Sequence, residues 1–374
     1  MNIETQLTDE RLSMLRLIQE QLSAQNGKLY VWGAAVKAHR LTSFIRKNST
    51  LSIEAYVIDD AYYNGGTFLD RPIIKASEFL GKATENDWVI IGFEDLKREK
   101  ELIKELPSFV KTVESSCFAI PRSADLQGAW IDHGFYEQHK TRFESTRSIL
   151  ADEISKNIMD AFIIACMTGS IEGLEGFRSN GEYFNELTSG CKSGCLVDCG
   201  AYTGDTIEAA LDFLGSRLER VIAFEPDPEN YENLKEYVQK TGLAADKIKI
   251  LKKGSYDRAE VLHFSASSNT SSSVSENGEI TIETDSIDNA AADMGEISFI
   301  KMDVEGSELK SILGAADTIR KYRPTMAICA YHKTEDLFEL PETIRKITND
   351  SGYKYYLRYH GFALNEVVLY AIPE

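Results

Sequence analysis

The sequence predicts an α/β chain organised around a doubly wound, seven-stranded, mainly parallel sheet, with a smaller α/β domain ahead of it. Three observations carry this expectation. From residue 195 onward, short apolar runs alternate with helix-length segments, the pattern of a twisted sheet covered on both faces. The first two of these runs end in acidic turns, Asp198-Cys199-Gly200-Ala201-Tyr202-Thr203-Gly204-Asp205 and Glu225-Pro226-Asp227. A second strand, helix, strand pattern occupies residues 29–60.

The elements follow in order. Leu12, Leu15, Ile18 and Leu22 recur at helical spacing, so residues 1–25 read as a segment holding one amphipathic helix. Residues 26–122 read as the smaller domain. Its strand Leu29 to Trp32 runs into Gly33-Ala34-Ala35-Val36-Lys37-Ala38, a helix with Leu41, Phe44 and Ile45 on one face, and a strand from Ile53 to Ile58 ending at Asp59-Asp60. Asp87 to Gly92 supplies a further strand after the turn-rich Asn64-Gly65-Gly66, and Cys117 to Ile120 one more before Pro121. Residues 123–190 read as a helical connector, with a helical pattern running from Ile149 to Met167. In residues 191–374, strands are expected near 195–199, 220–224, 247–251, 297–302, 325–330, 353–358 and 366–372. The last two are joined only by His360 to Asn365, a hairpin length that makes one edge antiparallel. The serine tract Ser265 to Ser275 reads as a polar loop or hairpin tip.

Composition narrows the function. Of 374 residues, 59 are Asp or Glu and 41 Lys or Arg, a formal charge of −18 that repels phosphate backbones and anionic membranes. Neither nucleic acid nor membrane is expected as a partner. The N-terminus has no basic region followed by an apolar core, and no run approaches the ~18 apolar residues of a membrane span, so the expected location is the cytoplasm. Six cysteines in a chain of this length suit a reducing compartment. Cys191, Cys195 and Cys199 recur at every fourth position, but without a Cys-x-x-Cys or His-x-x-Cys pair they read as small buried apolar residues, and no metal ligands are assigned.

The two acidic turns point to a nucleotide. Gly200 and Gly204 let the backbone turn sharply and come close to a ligand, and Glu225 stands where a carboxylate accepts both ribose hydroxyls. The G-x-G-x-x-G of a diphosphate loop is missing, and Asp198 is expected to point into the same crevice, which suits an adenosine with a cationic tail. Gly254 and Ser255 follow the third strand, where an adenine would rest. At the end of the fourth strand, Lys301-Met302-Asp303-Val304-Glu305-Gly306 places Asp303 and Glu305 toward the same cleft, and Tyr331-His332 and Tyr359-His360 end later strands. A neutral imidazole beside a carboxylate can take a proton from a hydroxyl, or the two can hold a divalent cation, which the sequence allows without implying. In the first domain Gly33 keeps one glycine of three, while Asp59 and Asp60 sit at the ribose position.

These residues resemble the FkbM-type family of S-adenosylmethionine-dependent methyltransferases. The resemblance rests on Val197 to Thr206, Phe224-Glu225-Pro226-Asp227-Pro228, Ser271-Ser272-Ser273, Ile300 to Glu308 followed by Leu313-Gly314-Ala315, and Tyr331-His332, and covers about residues 140–374. It implies the class I methyltransferase fold, S-adenosylmethionine as donor, and transfer to oxygen on sugars, glycan precursors or natural-product scaffolds. By matching position, Asp198, Gly200 and Gly204 would line the methionine part and Glu225 the ribose, with Tyr202, Thr203, Pro226 and Asp227 also counted among the cofactor-binding residues, and Asp303, Glu305 and His332 would lie toward the acceptor. His332 is nominated as base, with Asp303 orienting it or binding a cation. The first domain resembles the small Rossmann-like domains found beside sugar-modifying enzymes, through Val31-Trp32-Gly33-Ala34 and Val57-Ile58-Asp59-Asp60. Two rivals stand beside this reading: an NAD-dependent oxidoreductase using the first domain, and a non-catalytic nucleoside-binding scaffold. The acceptor, a small molecule or carbohydrate, and self-association into a homo-oligomer are left open.

Overall fold

The computed structural model describes residues 9–93, 95–120, 131–241, 244–264 and 280–374. The serine tract at 265–275 lies outside them. The described residues fall into two units, one within 1–133 and 160–173, the other within 134–159 and 174–374.

The first unit begins with helix α1 (Glu10–Gln25), capped by the Asp9 carboxylate, which accepts from the Arg11 and Leu12 amides, and closed by left-handed Asn26. Arg11, in the first turn, is buried and donates to the carbonyls of Ala119, Cys166 and Met167 at 2.9 to 3.2 Å. Six strands form a sheet: β1 (Leu29–Trp32), β2 (Ile53–Ile58), β3 (Thr67–Phe68), β4 (Arg71–Lys75), β5 (Trp88–Ile91) and β6 (Lys111–Val113), in the order β3-β4-β2-β1-β5-β6. All pairs are parallel except β3 with β4. Alternation along β1 sends Leu29 and Val31 into one core with Leu15, Ile18, Phe44 and Tyr56, and Tyr30 and Trp32 into the other with Val57, Phe79 and Ile91. Helices α2 (Val36–Asn48), α3 (Ala76–Lys82) and α4 (Leu96–Glu105) complete the crossovers.

Two local expectations are corrected. Cys117–Ile120 is not a strand: Ser115–Phe118 is a 3-10 turn, and the sixth strand lies earlier. The buried carboxylate of Glu99 draws in both the Ser115 amide and hydroxyl at 2.7 Å, which turns the backbone there. The helical pattern from Ile149 to Met167 is broken, α5 (His133–Ile149) ending before α6 (Glu153–Thr168) begins. In the gap Leu150 bridges Tyr355, the Ala151 amide donates to the Tyr355 carbonyl at 2.8 Å, and Asp152 restarts the helix by accepting from the Ser155 amide and hydroxyl. A short α7 (Glu172–Glu175) follows.

The second unit is built on strands β7 (Gly194–Cys199), β8 (Leu218–Phe224) and β9 (Ile248–Leu251), then β13 (Ile297–Met302), β14 (Thr325–Cys329), β15 (Tyr353–Tyr359) and β16 (Val367–Pro373). Between β9 and β13, β10 (Gly254–Ser255), β11 (Val261–Phe264) and β12 (Ile280–Asp285) form a small separate sheet that the sequence did not announce. The large sheet runs β15-β16-β14-β13-β7-β8-β9, so the seven expected strands are present. Only β16 is antiparallel, lying between β14 and β15. Every residue of β7, β13 and β14 is buried, as two-sided cover requires. The cover comes from α8 (Asp205–Leu214), α9 (Pro228–Lys240), α10 (Ile287–Ala290), α11 (Glu308–Leu313), α12 (Ala316–Tyr322) and α13 (Asp336–Thr348). Strand order reverses between β7 and β13, and the crevice beyond their carboxyl ends is where open α/β sheets bind ligands.

Candidate functional site

The chain after β7 is shaped by contacts with its neighbours. Gly200 has φ +81°, and a Cβ there would overlap the Asp303 carbonyl oxygen, so the close approach this glycine allows is to the end of β13. The Gly200 and Ala201 amides both donate to the Phe224 carbonyl at 3.0 Å. Tyr202 adopts left-handed backbone geometry, leaving its ring exposed and its amide on Glu225 Oε2 at 2.8 Å. Gly204, at φ +101°, caps α8 where a Cβ would overlap the Tyr237 ring.

Asp198 departs from its expected aim. It is fully buried with Oδ1 3.2 Å from Lys301 Nζ, the residue directly across the β7–β13 pair. Lys301 also donates to the Gly200 carbonyl at 2.7 Å. Burial pushes the Asp198 carboxyl above its ordinary value against the pull of that ammonium, while Lys301 is held charged, despite burial, by Asp198 and Asp303. The carboxylate therefore clamps the turn instead of facing open crevice.

Glu225 sits where expected. It is 5% exposed, its two oxygens taking one amide each, Tyr202 at 2.8 Å and Asp227 at 2.9 Å. Burial raises its pKa and those two donors work against the rise. Each oxygen keeps acceptor capacity for a ribose hydroxyl. Pro226 lies between these two anchors, and Asp227 caps α9 through the Glu229 and Asn230 amides, with Pro228 at the first helical position. Thr203 is half-buried in the turn. Ser255 does not turn its hydroxyl outward: it is buried and bonded to Ser311 Oγ at 2.7 Å. Beside it, a Cβ on Gly254 would make only ordinary contacts, the nearest at 3.6 Å.

Past β13 the chain turns through Glu305 and Gly306, both at positive φ, into α11. His332, three residues past the end of β14, is buried, with Nδ1 2.8 Å from Glu308 Oε1. The same Glu308 oxygen accepts the Val304 amide at 2.9 Å. Nε2 points the other way, 3.4 Å from Asp303 Oδ1 and 3.5 Å from Glu305 Oε2. Two expectations change here. The orienting carboxylate is Glu308, not Asp303, and the imidazole of the free protein is not neutral near pH 7. Burial alone would lower its pKa, but Glu308, Asp303 and Glu305 together raise it to about 9. Asp336, buried behind them, is pushed up to about 8 by burial and by Glu308. On the opposite side, the Tyr183 hydroxyl reaches Asp303 Oδ2 at 3.4 Å, and Glu182 is pushed up to about 7 by burial and by Glu366.

The sequence reading missed Lys301, Glu308, Glu182 and Tyr183 as parts of the site. Glu308 stands at the first position of α11, three residues past Glu305 in the chain, and the packing of α11 brings it to His332. His360 is structural, its Nδ1 on the Ser179 carbonyl and its Nε2 on the Tyr370 hydroxyl, both at 2.9 Å. Cys191, Cys195 and Cys199 are buried, and burial pushes the latter two thiols up to about 12. In the first unit, Gly33 admits the Gly92 carbonyl, and Asp59 is held by Arg98 through two 3.0 Å bonds and by Trp32 Nε1 at 3.2 Å. Asp60 is bonded to the Ser77 amide and hydroxyl.

Among the described residues no helix is long and apolar enough to cross a membrane. No curated protein matches the chain. A methyltransferase FkbM from Methylobacillus flagellatus KT superposes with a TM-score of 0.67 at 21% identity, over 96% of this chain and 97% of that one. A putative rRNA methylase from Clostridium thermocellum aligns with a TM-score of 0.33 at 10% identity, over 50% of this chain and 93% of its own. A precorrin-6y C5,15-methyltransferase from Geobacter metallireducens GS-15 gives 0.32 at 9% identity, over 54% and 96%. The model of the methyltransferase FkbM domain matches residues 198–355, the stretch from the acidic turn through the imidazole to the edge of the sheet. Residues 198–355 therefore match a methyltransferase FkbM domain, and the second unit has a mixed α/β fold with a mostly parallel seven-stranded sheet.

Proposed function

We propose that this protein transfers the methyl group of S-adenosylmethionine to a hydroxyl on a sugar, glycan precursor or natural-product scaffold. The observation that carries the reading is Glu225. A buried carboxylate at the end of β8, held open by two backbone amides beside the switch point, is a ribose-binding group. The acidic surroundings of Asp303, Glu305 and Glu182 suit a sulfonium, and the chain's net charge argues for a small acceptor over a polynucleotide. The protein acts in the cytoplasm in this reading.

Methyl transfer is an in-line displacement. The acceptor oxygen attacks the methyl carbon, the carbon–sulfur bond breaks, and the donor leaves as the neutral thioether. Alignment and exclusion of water do most of the work. The hydroxyl proton must also go somewhere, and we assign it to His332 Nε2, which faces the crevice beside Asp303 while Glu308 fixes the ring from behind. The donor's positive charge, once bound nearby, lowers the affinity of that nitrogen for a proton.

Calorimetric titration with S-adenosylmethionine, its demethylated product and NAD tests the donor. The first two should bind, and Glu225→Ala should weaken both by about 10- to 100-fold, the loss of charge-assisted bonds to two hydroxyls. NAD binding that survives Glu225→Ala, with no binding of the other two, would sink the reading. His332→Ala should keep donor affinity and lose turnover; undiminished turnover at saturating acceptor would remove the base assignment.

A further inference from the structure

Three side-chain atoms at the acceptor end, Asp303 Oδ1, Glu308 Oε2 and His332 Nε2, are buried and have no hydrogen-bond partner. One ligand atom from each of these residues lies within 4.8 Å of the other two. Buried polar atoms left in this state call for an explanation, and three on adjoining residues do so together. The Glu308 bond engages the hydrogen on Nδ1, so it is Nε2 that presents an electron pair once its own proton is displaced.

We propose that this cluster binds a divalent metal cation, with His332 Nε2 and Asp303 Oδ1 as direct ligands. Glu305 closes the open side and Glu308 is the carboxylate behind the imidazole. The spacing fits. Two ligands about 2.1 Å from a metal, at tetrahedral or octahedral angles, stand about 3.0 to 3.4 Å apart. Nε2 and Oδ1 are 3.4 Å apart, and Nε2 and Glu305 Oε2 3.5 Å. Charge fits as well. Lys301 is paired with Asp198 and also acts on Asp303, and the carboxylates of Asp303, Glu305 and Glu308 surround one imidazole. Asp303 is 28% exposed, which gives an ion a way in. One imidazole nitrogen with carboxylate oxygens is a donor set for Mn²⁺ or Zn²⁺. A cation here would take the place of any proton on Nε2, so the role of His332 as proton acceptor belongs to the metal-free protein.

The inference does not rest on methyl transfer, and its test uses neither donor nor acceptor. The full chain, stripped with a chelator, is titrated with MnCl₂ while free Mn²⁺ is followed by electron paramagnetic resonance. The expected result is about one Mn²⁺ per chain, weakened at least 10-fold by Asp303→Asn and by His332→Gln, and by 10- to 100-fold in Glu308→Gln through loss of the outer-shell partner. Mn²⁺ should also raise the thermal midpoint of the wild type and not of Asp303→Asn, a comparison that needs no variant in the buried imidazole. Absence of saturable binding at millimolar Mn²⁺, or equal affinity in wild type and Asp303→Asn, overturns the proposal. Failure of S-adenosylmethionine to bind bears only on the donor.

Discussion

Gly200→Ala separates a glycine kept for a ligand from one kept for the fold. The added Cβ overlaps the carbonyl oxygen of Asp303, which is backbone and cannot swing aside, and φ at this position is +81°. The left-handed conformation costs an L-residue about 1–2 kcal/mol, and forcing a methyl into a packed site typically about 1–3. Together they predict a loss of about 2–5 kcal/mol. The displaced group carries a candidate site residue, so turnover should fall with stability. Urea unfolding followed by a probe in the second unit gives the stability change from the midpoint and slope. Gly254→Ala is the control, since its Cβ meets nothing closer than 3.6 Å and its φ is not positive, and it should stay within about 0.5 kcal/mol. A loss below about 1 kcal/mol for Gly200→Ala, with donor affinity abolished, would show that the ligand and not β13 demands the glycine.

Other perturbations test other parts of the second unit and the first. Lys301→Met strands the buried Asp198 carboxylate and should destabilise by about 3–5 kcal/mol, most of it recovered when Asp198→Asn is added; a double variant as unstable as the single would deny the pairing. Glu182 binds its proton more tightly in the folded chain, to about 7 from an ordinary 4.5. Its contribution therefore turns unfavourable as pH rises from about 4.5 through 7, by up to about 3 kcal/mol. Glu182→Gln should be the more stable protein at about pH 8 and indistinguishable at about pH 4, and a pH-independent difference in thermal midpoint would refute the assignment. Asp59→Ala should destabilise the first unit by about 1–3 kcal/mol through loss of its Arg98 bonds and leave the donor isotherm unchanged. A weakened isotherm would place donor contacts in the first unit.

The second sheet was legible in the sequence because its central strands are continuous apolar runs bounded by turns, a signal that depends on neighbours in the chain. The place of Glu225 at the end of β8 was legible for the same reason. Partnerships across the sheet were not. That Lys301 faces Asp198 follows from the β7–β13 register, and that Glu308 holds His332 follows from where α11 packs. The glycines show the same limit: φ > 0 was readable at Gly200, but not which backbone occupies the space a side chain would take. Cys117–Ile120 had strand composition, and one buried carboxylate, Glu99, turned it. Around β11 and β12 polar residues interrupt the apolar pattern, so the small sheet gave no periodic signal.

The antiparallel strand β16 follows β15 in the chain and lies between β15 and β14 in the sheet. A ribosome releasing this chain exposes β14 with one side unpaired, then β15 with no strand to join, and only the next dozen or so residues reconcile the two. Until then the Leu150–Ala151 junction, whose pairing partner is Tyr355, also lacks a fixed anchor. The imidazole turn after β14 is tied to β16 by the Ala330 amide on the Val367 carbonyl, so this end of the crevice takes its shape only once β16 has been made. A nascent domain can thus hold the turns after β7 and β8 well before it holds the turn that carries His332.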